Sequence, residues 1–155
     1  MICYCHINKC VLFFYFQVII NNNKDIVFLK SGFLGHFNDA STYRELPSIG
    51  PGMDLDFPAN LRIIADSIYP CRYPLITPYK SASIARQPPH QQHRMRKINL
   101  TLRSRRVYVE HVIKEIKTFR VIGGIYRHKR HFLAHITELC AGLSQRKAEF
   151  LERYT

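Results

Sequence analysis

The stretch NLTLRSRRVYVEHVIKEIKTFR, residues 99–120, carries two periodicities at once. Val109, Val112, Ile113 and Ile116 fall at i, i+3, i+4 and i+7, the apolar stripe of an amphipathic helix lying on a core. Arg103, Arg106, Glu110, Lys114 and Lys117 follow one another at steps of three or four, so they share a long polar flank. One carboxylate thus stands in a row of cations. On an isolated helix that pattern would mean no more than a weak i,i+4 pair between Glu110 and Lys114.

Working outward, the positive charge is concentrated in one half. Residues 1–68 hold five Lys or Arg against six Asp or Glu, a net of −1, whereas residues 69–155 hold eighteen against five, a net of +13. That excess exceeds what solubility requires and draws polyanions, nucleic acid first among them. With 155 residues and 46% apolar content, the chain can bury one real core. The longest apolar run, Val11–Ile20, is broken by Gln17 and is shorter than the roughly 20 residues of a membrane-spanning helix. Lys9 precedes that run, but no small-residue cleavage site follows, so it reads as a buried strand rather than a secretory signal. Five cysteines, three of them in CYCHINKC, suggest no paired disulfide framework and fit a reducing interior, cytoplasm or nucleus. The C-x-C-H-x-x-x-C spacing matches none of the usual structural zinc sites.

In chain order, residues 13–20 and 26–30 are apolar and β-prone around the polar turn NNNKD, which predicts a hairpin. Asp39 is placed to cap a short helix that ends before Pro47. Leu61–Ala65 predicts a buried strand with Asp66 at its carboxyl end, where open α/β sheets bind ligands. Residues 73–78, bounded by prolines, predict an edge strand. KSASIARQPPHQQHRMR, residues 80–96, reads as a mobile basic loop. A last helix is expected from about His128 to Tyr154, with Phe132, Ile136, Leu139, Cys140 and Leu143 facing inward and His128, His131 and His135 on the cationic surface.

An acid at a strand end and another on a later helix, approached by a basic surface, is one way to build a site for divalent metal ions acting on a phosphodiester. The residues also resemble a known family. GHFND (35–39), ADSIY (65–69), LITPYK (75–80) and the spaced set Asn99, Leu102, Arg106, Glu110 and Lys117 occur in the order found in DDE superfamily endonucleases, the Harbinger-type transposase nuclease domain. The likeness continues through Phe119-Arg120 and Tyr126-Arg127-His128 and runs from about Gln17 to Glu152, leaving residues 1–16 unassigned.

The resemblance implies an RNase H-like α/β fold and a Mg or Mn cofactor. It makes Asp66 and Glu110 catalytic and metal-binding, with Asp39 as an accessory metal position. Arg103, Arg106, Lys114 and Lys117 would hold the DNA phosphates. The implied partners are DNA and a separate DNA-binding protein, with no membrane, in the nucleus. Ile68 stands where relatives carry glycine. Residues 1–16 contain no Asp or Glu, so the first catalytic aspartate is missing. The expectation is an N-terminally truncated domain whose sheet lacks an internal strand, impaired as a nuclease but retaining metal and DNA binding. A non-enzymatic basic DNA-binding protein is the alternative, and a structural ribonucleoprotein component is the second.

Overall fold

The computed structural model describes residues 2–10, 14–34, 39–124, 126–129 and 131–154. Strands β1 (Ile2–Cys10), β2 (Phe14–Ile20) and β3 (Ile26–Leu34) form an antiparallel meander. Helix α1 (Asp39–Arg44) and a small parallel pair, β4 (Ile49–Gly50) and β5 (Leu55–Asp56), then lead to β6 (Arg62–Ile64) and β7 (Leu75–Ile76). The main sheet has five strands in the order β3-β2-β1-β6-β7, with β1, β6 and β7 mutually parallel. Four helices follow: α2 (Ser81–Ala85), α3 (Pro89–Thr118), α4 (Arg120–Gly123) and α5 (His131–Tyr154).

The expected missing strand is not missing. Residues 2–10 occupy the centre of the sheet, antiparallel to β2 and parallel to β6, with Tyr4 level with Ile64. Both neighbours are available to satisfy the backbone of this segment, which is why a sequence with an awkward Cys-rich composition still forms a strand. The hairpin of β2 and β3 forms as predicted, and β7 takes the edge, where its flanking prolines cost no ladder bond.

Both faces of the sheet are covered. Phe16, Val18, Ile20 and Ile64 pack against Leu102, Val109, Ile113 and Ile116 of α3, together with Ile122, Cys140 and Ala141. On the other face Ile19, Ile63, Ala65, Tyr69 and Leu75 gather Phe28, Tyr43, Ile49 and Phe57. Strands covered on two sides read as continuous apolar runs, which accounts for FYFQVII. Gln17 in that run is fully buried, and its side-chain amide finds no hydrogen-bond partner among the described residues.

Two helices differ from expectation. The basic segment at 80–96 is not a loop, because α2 lies within it and α3 starts at Pro89. Proline is well suited to the first helical position, and the Gln, Arg, Met and Lys that follow propagate a helix readily. In α5 the buried residues are Leu133, Thr137, Cys140, Ala141 and Ser144, whereas Phe132, Leu139 and Leu143 are about half exposed or more. Small residues face inward because α5 lies close on β3: the Ser31 hydroxyl donates to the Ala134 carbonyl at 3.2 Å. The Thr137 and Ser144 hydroxyls donate to the carbonyls one turn earlier, at 2.7 and 2.9 Å, so their burial leaves nothing unsatisfied.

Candidate functional site: a carboxylate pair under a basic helix

Asp66 lies two residues beyond β6, past Ala65, at the carboxyl end of the parallel strands. Its carboxylate accepts the Ser67 backbone N–H at 2.6 Å and the Ser67 hydroxyl at 3.3 Å, and its carbonyl accepts the Tyr69 N–H at 3.1 Å. The resulting turn needs no glycine at Ile68: its side chain is exposed, and Lys24 is the only non-glycine with positive φ among the described residues.

The second acid arrives from α3. Counting from the buried stripe at Val109 and Ile113, Glu110 emerges on the flank of the helix, with Arg106 one turn before it. The Arg106 guanidinium makes a two-pronged contact with Asp66, 3.2 Å from one oxygen and 3.3 Å from the other, and approaches Glu110 at 3.9 Å. Arg106 is 15% exposed, Asp66 39% and Glu110 54%. Two acids from elements 44 positions apart thus converge on a single cation supplied by the chain itself.

The four predicted phosphate contacts divide. Arg106 is turned inward to the carboxylates. Arg103 and Lys114 are exposed on the same flank, and Lys117 is half-buried near the end of the helix. Arg103 also borders a groove of about 650 Å³ between α2 and α3, together with Arg96 and Leu100. Asn99 is committed to structure: its amide accepts the Tyr79 N–H and donates to the Tyr79 carbonyl, both at 2.9 Å, pinning the segment after β7 to α3. Asp39 opens α1, and its side chain lies outside the described residues.

The field around this site is one-signed. Residues 67–109, from just after one acid to just before the other, contain nine Lys or Arg and no Asp or Glu. The first thirteen residues of α3, Pro89–Thr101, bury no side chain completely, and three of these cations, Arg94, Arg96 and Lys97, ride on that arm. Helical propensity in 90–98 and proline at the helix start were available as signals for that arm.

Across from Asp66 the sheet supplies no acid. The neighbouring strand β1, Ile2–Cys10, pairs with β6 as far as Tyr4 and Ile64 and contains no Asp or Glu. Among the described residues no group of three His, Cys, Asp or Glu is placed to hold a metal ion.

The chain is a mixed α/β domain with one acid past the end of an internal parallel strand, a second on the helix covering that sheet, and a cationic surface around both. The chain belongs to the DDE superfamily endonuclease family, whose model matches residues 4–145 and so takes in most of β1. No curated protein and no solved structure matches it. No helix among the described residues is long and apolar enough to cross a membrane.

Proposed function

We propose that this chain is a DNA-binding, transposase-derived nuclease domain of RNase H-like fold whose catalytic centre is incomplete. The observation that carries the proposal is the convergence of Asp66 and Glu110 on Arg106. These are the two acids that the family resemblance makes catalytic, and they meet where the strand order places a site. Their surroundings fit a pair of divalent metal ions poorly. Both carboxylates already face one guanidinium, and the sequence of β1 contains no acid. Weak binding of a single Mg or Mn ion by Asp66 and Glu110 is what this donor set supports, in competition with Arg106. No cleavage step is assigned.

DNA is the polyanion that the family and the charge favour together. The exposed cations of α3, Arg103 and Lys114 among them, would contact its phosphates, and the nucleus is the compartment where such a domain meets its ligand. The test is nicking of supercoiled plasmid in Mg²⁺ and Mn²⁺ by the wild type, Asp66→Asn and Glu110→Gln, beside a DNA-binding titration. Salt-sensitive binding without nicking is expected, unchanged or slightly strengthened in both variants. Metal-dependent nicking that both substitutions abolish would show the centre to be complete.

A further inference from the structure

A second basic region has a different chemistry from the α3 arm. Residues 116–137 contain five Lys or Arg and three His and no acid, and they connect α3 to α5. The segment before α5 and the first turns of that helix enclose a groove of about 570 Å³, within the range of sites for small organic ligands. Its walls are aromatic and cationic together: Tyr126, His128, Phe132 and His135, with Arg127 and Lys129.

The rings are held in place. Phe132 lies against His131 with ring centres 4.1 Å apart, and Tyr126 meets His128 edge-on at 5.6 Å. The Tyr126 hydroxyl donates to the Lys129 carbonyl at 3.3 Å, fixing the loop as a short bracket. Yet Phe132 remains 51% exposed. One exposed phenylalanine is ordinary. One set between cations in a concave site is a stacking surface beside charges for a phosphate.

From this we infer that the groove is a binding site for an unstacked nucleotide of a single DNA strand. The base would stack on Phe132 and its ring neighbours, and Arg127 and Lys129 would hold the adjoining phosphates. A duplex cannot use the groove, because its bases are already stacked and their faces covered. The arrangement is that of proteins binding single strands through aromatic platforms in a positive groove, where each stacked base contributes and no sequence is read. This inference rests on the proposal that the chain binds DNA, but it assigns a separate place and a separate strand state.

The experiment uses the full chain and labelled oligonucleotides: (dT)12, a 12-base-pair duplex and (rU)12. Phe132 is substituted by Ala, and Arg127 and Lys129 together by Gln. Phe132→Ala is expected to weaken (dT)12 binding roughly 10-fold without changing its salt dependence, and to leave the duplex affinity unaltered. The paired Gln substitution should lower the slope of log affinity against log salt for (dT)12 by up to about 1.4. Duplex binding by the wild type with no effect of Phe132→Ala on (dT)12 overturns the groove assignment and leaves DNA binding standing. Absence of all DNA binding overturns both, and binding confined to (rU)12 overturns the choice of DNA.

Discussion

Removing Arg106 should expose how the two acids are held. The Arg106→Met variant keeps most of the aliphatic packing of the stem and deletes the charge. At 3.2 Å and an effective dielectric constant of about 20, the attraction between Arg106 and Asp66 is about 5 kcal/mol before solvation is counted. Most of that is offset. Arg106 is largely withdrawn from water and its Nε is buried without a partner among the described residues, while Asp66 keeps two fifths of its exposure and is screened by solvent. A net coupling of about 1–2 kcal/mol remains, the range of hydrogen bonds to charged groups. Glu110, longer at 3.9 Å and more than half exposed, should couple to Arg106 by only about 0.3 kcal/mol. Urea denaturation of the single and double variants Arg106→Met, Asp66→Asn and Glu110→Gln, followed by circular dichroism in metal-free buffer, yields both couplings as double-mutant cycles. In 1 M salt the Glu110 coupling should vanish and the Asp66 coupling persist. A 66–106 coupling no larger than the 106–110 coupling would refute the view that the guanidinium ties α3 to the end of β6.

Three further expectations concern the scaffold. Gln17→Leu replaces a buried amide without a described partner by an apolar side chain of similar size, and should raise stability by about 1–3 kcal/mol in urea; unchanged or lower stability would mean that the amide is satisfied in solution. A Cβ on Gly123 would run into the Lys117 carbonyl oxygen, so Gly123→Ala should lose roughly 1–3 kcal/mol, and a neutral result would show that the α3–α4 junction is loose. The Cys71 thiol is exposed and held below its ordinary value by hydrogen bonds from the Thr77 side chain and backbone, whereas Cys140 is buried. A depressed value enlarges the thiolate fraction at neutral pH. Cys71 should therefore alkylate well before Cys140 in peptide mapping, and Thr77→Val should slow it; equal rates would contradict the assignment.

The parts of the fold legible in the sequence were those where hydropathy period and burial coincide. The α3 stripe of Val109, Ile113 and Ile116 is buried as its spacing requires, and the hairpin and the short strand before Asp66 form where alternation and turn chemistry put them. In α5 the same logic fails, because close approach to β3 selects Ala141, Thr137 and Ser144 over Leu139 and Leu143. Hydropathy measures the preference for leaving water, not the space available on arrival. The central position of β1 was hidden for another reason. A strand in the middle of a sheet is stabilised by its neighbours' backbones, and ICYCHINKC carries little periodic signal of its own. Motif spacing singles out Asp66 and Glu110, but it does not show that Asp66 pairs with Arg106, an expected phosphate contact. Spacing along α3 places it on the cationic flank, and only the packing of that flank over the end of β6 turns it toward Asp66.

That packing gives the two halves of α3 opposite electrostatic characters. From Leu102 onward the helix is anchored by buried side chains, and several of its charges are paired: Arg106 meets Asp66 and Glu110, and Glu115 meets Lys147 of α5 at 3.0 Å. Before Leu102 no side chain of α3 is fully buried, the first turn has no acid, and Arg94, Arg96 and Lys97 follow in the second and third turns. Like charges spaced along one helix repel one another, so the arm carries an electrostatic cost. A phosphate backbone laid along it adds attractions that offset these repulsions. The cations that repel one another on the free arm are the ones that a polyanion would use.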